Sequence, residues 1–175
     1  MLAWRVPLRV VLDSDGLIKL AKAGVLERVV AAWTCLVPRA VYVETVERGL
    51  EAAYPDAEAI RLALSSAVVR PAVRHPRAAA LLQGRRGFGR GEQEALHLFF
   101  AARGDAIVTD DAAFVAMLTR TRLRYLVPAL VLVRLVQERH LESADALDCL
   151  ERMRPFIRAE VYHAARDDVA AISRR

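Results

Sequence analysis

"VVLDSDGLIKLAKAG", residues 10–24, runs from a short β-branched stretch through two acids into a helical pattern, and that order decides how the rest of the chain is read. Val6 to Leu12 reads as a buried strand that Asp13-Ser14-Asp15 ends. Ser14 or Asp15 is expected to cap the following helix, whose apolar face is Leu17, Leu20 and Ala21 and whose stop is Gly24. The same order returns in "AIVTDDAAF", residues 106–114, where Asp110 and Asp111 stand side by side as an apolar run leaves the core. Either one of them caps the helix that begins near Ala112, or the pair faces a positive ion.

Between these stretches the pattern alternates. A helix over Val25 to Ala32 leads to a short apolar run at Thr34 to Val37. Pro38 then opens a helix through "RAVYVETVERGLEAA", and another helix is expected from Asp56 to Ser65. "AVVRPAV", 67–73, is a strand that Pro71 limits to an edge or an end. A short helix at Ala78 to Leu82 precedes a flexible arginine- and glycine-rich loop, and helix resumes at Glu92 until Gly104. "AIVT" is a strand, Ala112 to Leu118 a helix, and three helical segments begin near Pro128, Ser143 and Pro155. Strands alternating with helices predict an α/β fold, a parallel sheet with helices on both faces. The expected organisation is one domain over 1–175, with 128–175 a helical C-terminal extension packed on it.

Composition narrows the class. With 175 residues, 55% of them hydrophobic, the chain can bury a substantial core. The formal charge of +5 favours polyanionic partners, and nearly all of the positive charge is arginine, Lys19 and Lys22 being the only lysines. Cys35 and Cys149 read as buried free thiols and point to the cytoplasm. "MLAWRVPLRVVLD" reads as a first strand rather than a signal peptide, because Arg9 interrupts the apolar region. "YLVPALVLVRLV", 125–136, contains Pro128 and Arg134 and is too short to span a bilayer, so no membrane partner is expected.

Acids recur at four places: Asp13 and Asp15, Glu44 and Glu47, Glu92 and Glu94, Asp110 and Asp111. Taken singly, each has an ordinary explanation as a turn residue, a solvated helix face or a first-turn acid favoured by the helix dipole. Together they have another. Ligands of an α/β sheet gather beyond the C-terminal ends of its strands, where Asp13 and Asp111 can share a crevice with Glu44 and Glu92 beside it. Carboxylates pressed together raise one another's pKa values unless a cation compensates them. Mg²⁺ or Mn²⁺ takes carboxylate and water oxygens, and such ions activate water toward a phosphodiester.

The four motifs "VVLDSDGLIKLAKAG", "VPRAVYVETVERG", "GRGEQEAL" and "AIVTDDAAF", in this order, resemble the PIN-domain superfamily, and within it the toxin-like (VapC-type) ribonuclease branch. The resemblance covers roughly residues 8–118. It implies a three-layer α/β/α domain around a central parallel sheet and metal-dependent cleavage of RNA by a hydrolase, with Mg²⁺ or Mn²⁺ as cofactor. By motif position it implies Asp13, Glu44, Glu92 and Asp111 as catalytic metal-site residues. Thr109 would orient a carboxylate or water, Asp110 falls in the variable position of the fourth motif, Glu94 neighbours the third acidic position, and Asp15 has a supporting role at most. It also implies RNA as substrate, an antitoxin protein as a partner if the chain is the toxin of a toxin–antitoxin pair, and a homodimer as the assembly of some relatives.

Arg85, Arg86 and Arg90 in the loop and Arg120, Arg122 and Arg124 beyond the fourth motif are candidates for phosphate contact, with solvated surface charge as the alternative. His75, His97, His140 and His163 are scattered and receive no role. Trp4, Trp33, Phe99 and Phe100 suit a core better than a stacking platform. The competing reading from another class is a catalytically inactive PIN-like module for nucleic-acid binding or assembly.

Overall fold

A computed structural model describes residues 7–85 and 87–174. In chain order the strands are β1 (Arg9–Leu12), β2 (Thr34–Pro38), β3 (Val68–Arg70), β4 (Ala106–Val108) and β5 (Tyr125–Leu126). They form one sheet in the order β3-β2-β1-β4-β5, and every neighbouring pair is parallel. β1 is central, with Val10 opposite Cys35 on one side and Ala106 on the other. β3 lies at an edge, where Pro71 just beyond it removes no ladder hydrogen bond.

The helices are α1 (Ser14–Lys22), α2 (Leu26–Ala32), α3 (Arg39–Tyr42), α4 (Arg48–Glu51), α5 (Pro55–Ala63), α6 (Pro76–Leu82), α7 (Arg90–Ala101), α8 (Ala112–Arg120), α9 (Pro128–Gln137), α10 (Ser143–Met153) and α11 (Ala159–Ser173). Strand side chains alternate between faces, and the two resulting cores are distinct. Val10, Leu12, Cys35, Val37, Ala106 and Val108 pack with Leu17 and Leu20 of α1, Val29 of α2, Leu132 and Leu135 of α9, Leu150 of α10 and Val169 of α11. Val11, Leu36 and Ile107 face the opposite way, onto Ala78 of α6, Ala95, Leu96 and Phe99 of α7 and Phe114 and Leu118 of α8. The result is the expected three-layer α/β/α sandwich.

Several local expectations change. β1 is described from Arg9, and its expected start at Val6 lies outside the described residues, as does Trp4. The helix expected from residue 39 to 53 contains a π-helical stretch at Val43–Glu47, where Thr45 Oγ1 donates to Val41 O at 2.8 Å. The two-residue strand β5 follows α8 unannounced, because so short a run carries no periodicity. The segment expected to be helical from Pro155 is a 3-10 turn at Arg154–Phe156, and α11 starts only at Ala159. In the segment from residue 128, Leu132 and Leu135 of α9 share one core with the central strand. That uses most of the apolar surface of α9 and leaves Leu130 exposed. Cys35 and Cys149 are buried free thiols, as expected, and burial pushes the Cys35 thiol up to about 12. No helix among the described residues is long and apolar enough to cross a membrane.

The first turn of α1 lies against the end of β4. A β-carbon added at Gly16 would fall 2.5 Å from the Val108 carbonyl oxygen, a backbone atom that cannot rotate away. Gly16→Ala should therefore destabilise the domain by about 2 kcal/mol, the usual cost of overpacking, and lower its melting temperature by roughly 4 to 8 °C. An unchanged melting curve would contradict this close approach.

Candidate active site at the carboxyl edge of the sheet

Parallel strands deliver all their carboxyl ends to one edge, where β1 and β4, as neighbours, place Asp13 beside Thr109. Asp13 N donates to Val108 O at 3.1 Å. Thr109, fully buried, donates from Oγ1 to Asp13 Oδ2 at 2.8 Å and accepts from Asp111 N at 3.3 Å. One hydroxyl thus ties the Asp13 carboxylate to the backbone of Asp111.

The cap of α1 is therefore neither Ser14 nor Asp15. Asp13 occupies the N-cap position but makes no side-chain cap bond, because its carboxylate is turned to Thr109. Ser14 Oγ instead donates to Glu44 Oε2 at 2.7 Å, which ties α1 to the π-helical turn. The N-terminus of α7 closes the third side. A β-carbon built on Gly91 would lie 3.5 Å from Ser14 Oγ and 3.6 Å from Glu44 Oε2, ordinary contact distances that show how near the start of α7 comes to both. Glu92 folds back over Gly89, whose added β-carbon would meet Glu92 Oε2 at 2.7 Å.

These elements enclose a pocket of about 590 Å³ whose walls include Asp13, Asp15, Glu44, Glu92 and Asp111, with Arg39, Arg48 and Arg90 also lining it. Burial is the main cause that pushes the Asp13 carboxyl up, to about 7. The Thr109 hydrogen bond opposes the rise, while the negative charges of Glu92 and Asp15 add to it. Lys19 does not relieve this, being shared between Asp15 Oδ2 at 2.8 Å and Asp110 Oδ2 at 2.9 Å. Burial works against the lysine charge, but its bonds to these two acids outweigh it and hold its pKa above the usual value.

The paired aspartates have separate surroundings. Asp111 caps α8, accepting from Phe114 N at 2.7 Å through Oδ1, and lines the pocket. Asp110 does not cap that helix; bound to Lys19, it lines a different cleft with Val115, Phe156 and Ile157. Glu94, expected as a neighbour of the third acidic position, does not line the pocket. Two residues on from Glu92, it lies about 200° around the helix, where it accepts from Ala40 N at 2.9 Å and from Arg90 Nε at 2.9 Å.

The candidate phosphate-binding arginines also separate. Arg90 reaches the pocket, whereas Arg85 and Arg120 line a cleft beside α8. Arg122 and Arg124 precede β5 and stand at the amino edge, opposite the acids. Arg86 lies outside the described residues. Sequence reasoning missed Ser14, Arg39, Arg48 and the double pairing of Lys19. The only signal was Lys19 four residues after Asp15, an ordinary helical spacing.

Among the described residues, no three His, Cys, Asp or Glu side chains are grouped closely enough to hold a metal ion. The donor set nonetheless fits a hydrated hard cation. Mg²⁺ keeps several waters and is commonly bound through one or two carboxylates, and the pocket has five carboxylates, one of them buried and raised for lack of compensation.

An α/β sandwich with an acidic crevice at the carboxyl edge of a parallel sheet defines a class suited to chemistry on phosphate esters. The family model DUF3368, described as PIN domain, matches residues 9–170, and the chain belongs to that PIN-domain family. PIN domains are generally nucleases, which makes nucleic acid the expected substrate class. No curated protein matches the sequence.

Because Asp13 titrates near 7 when folded and near 3.8 when free, the folded protein holds the extra proton between those values. Metal-free stability should then be fullest below about pH 4 for this group and be lost as pH rises through about 7, by up to about 4 kcal/mol. Asp13→Asn, which still accepts from Thr109, should flatten the pH dependence of the melting temperature and raise its value at pH 8. Identical profiles for the two proteins would refute the burial of this charge.

Proposed function

We propose that the protein is a divalent-metal-dependent endoribonuclease that hydrolyses RNA phosphodiester bonds, with Asp13, Glu44, Glu92 and Asp111 as its metal-site residues. The observation that carries this reading is the crevice: carboxylates from the ends of β1 and β4, the π-helical turn and α7 meet in one pocket around a buried acid at about 7. Such an arrangement is costly to folding and has no use in a scaffold.

Bound Mg²⁺ or Mn²⁺ would offset the crowded charge, lower the pKa of a water and stabilise negative charge on the phosphoryl group. The chain's own residues do the rest. Thr109 fixes the orientation of Asp13 through Oδ2 and of Asp111 through its backbone N–H. Ser14 does the same for Glu44. Arg39, Arg48 and Arg90 at the pocket walls hold the RNA backbone through its phosphates, positioning the strand without reading its sequence. Water adds to phosphorus and the P–O3′ bond breaks, leaving a 5′-phosphate and a protonated 3′-hydroxyl.

The setting we propose is the toxin of a toxin–antitoxin pair, on the resemblance carried by the four motifs. Its antitoxin would silence the enzyme by seating a peptide at the acidic crevice.

With Mg²⁺ or Mn²⁺, the purified, inhibitor-free protein should cleave single-stranded RNA. Asp13→Asn and Asp111→Asn should each lose at least about 100-fold in rate, as expected when charge stabilisation at a reacting phosphate is removed. Asp110→Asn should lose less than either. A folded wild type that leaves varied RNAs intact would defeat the reading, and an inactive Asp110→Asn beside an active Asp111→Asn would reverse the assignment of the pair.

A further inference from the structure

We propose that the cleft between the arginine–glycine loop and α8 is a second binding subsite, which holds the nucleotide next to the one being cut by stacking its base on Phe88 and seating its phosphates on Arg85 and Arg120. The inference rests on the ribonuclease reading and extends it to how the strand leaves the crevice.

Position comes first. The cleft measures about 330 Å³ and is lined by Arg85, Gly87, Phe88, Ala113, Ala116 and Arg120. It adjoins the acidic pocket on both walls. Phe88 is followed directly by Gly89 and Arg90 of that pocket, and Ala113 stands two residues beyond Asp111. A strand with a phosphate among the acids can therefore continue along these shared walls into this cleft.

Its chemistry suits that strand. Along the floor, α8 presents Ala113 and Ala116, three residues apart on one face and both exposed, so no large side chain obstructs the path. Two guanidiniums face it, and none of the described lining residues is acidic. Phe88 is half-buried, its ring centroid 5.8 Å from that of the fully buried Phe114 at an interplanar angle of 59°. An aromatic side chain anchored on the core at the mouth of a basic cleft is the arrangement that binds single-stranded nucleic acid without sequence preference. The cleft on the other side of α8 also has an aromatic, Phe156, and a basic residue, Arg158, but an acid stands in its wall: Asp110, paired with Lys19.

The test is binding of a labelled single-stranded RNA of eight nucleotides by fluorescence anisotropy over a range of salt. Asp13→Asn in Mg²⁺ serves as the reference protein, so that the strand stays whole. Added to it, Phe88→Leu should weaken binding roughly tenfold, a typical loss for one stacked base, with the salt dependence unchanged. Phe88→Trp should restore the affinity. Arg85→Gln with Arg120→Gln should lower the slope of log K against log salt by about 1.4, near 0.7 for each single-strand phosphate contact. Arg28→Gln on the distant α2 should leave the slope as it was. Folding of each variant is checked by its melting curve.

If Phe88→Leu and the double arginine variant bind as the reference does, the subsite is refuted and the cleft is left to a protein ligand. If these losses appear although the wild type cleaves no RNA, the ribonuclease reading fails while the cleft stands as a strand-binding site.

Discussion

A carboxylate at the end of the central strand, taken out of water and held by a threonine hydroxyl from the neighbouring strand, is the constraint on which this structure turns. Asp13 sits there because β1 and β4 pair in parallel and end together, and because Gly16 lets α1 start against the Val108 carbonyl. Desolvation raises its pKa, and Glu92 and Asp15 raise it further. A fold that only needed a helix start would place a serine or asparagine at this point and let it cap. Here the N-cap residue leaves the cap bond unmade and turns its carboxylate to Thr109, in a pocket shared with other acids.

Neighbouring elements repeat the pattern at lower cost. Glu44 is steadied by Ser14 and Asp111 by the amide of Phe114. Both are held locally, yet both face one pocket with Asp13 and Glu92, so the carboxylates of the crevice are gathered by the fold itself. Lys19 completes the separation by binding Asp110 and Asp15, which keeps its own charge off Asp13 and draws Asp110 away from the pocket. The adjacent aspartates of "TDD" are thus two residues with two surroundings, one shared with α8 and the crevice, the other with α1.

Much of this was legible in the sequence, for physical reasons. Strand-ending acids in an alternating β/α pattern forecast a parallel sheet, and a parallel sheet brings Asp13, Thr109 and Asp111 to one edge. Helical spacing set Glu94 apart from Glu92 in principle, but not its attachment to the α3 backbone, which depends on how α3 and α7 pack. The π-helical turn that carries Glu44 has no local signature, since it reflects contacts made after folding. Cap assignment failed at Ser14 because a serine after an aspartate looks the same whether it bonds its own helix or a glutamate thirty residues on. The arginines separated only once the sheet had two edges, with Arg90 at the acids and Arg122 and Arg124 at the far end.

The central claim is that this crevice binds a cation through a buried, proton-holding acid, and calorimetric titration of Mn²⁺ into the metal-free protein tests it most directly. The account predicts saturable binding that releases close to one proton at pH 6, where Asp13 is largely protonated, and much less at pH 8.5. Asp13→Asn should bind more weakly and lose the difference between the two pH values. Absence of saturable binding, or a proton release that the substitution leaves unchanged, would contradict it.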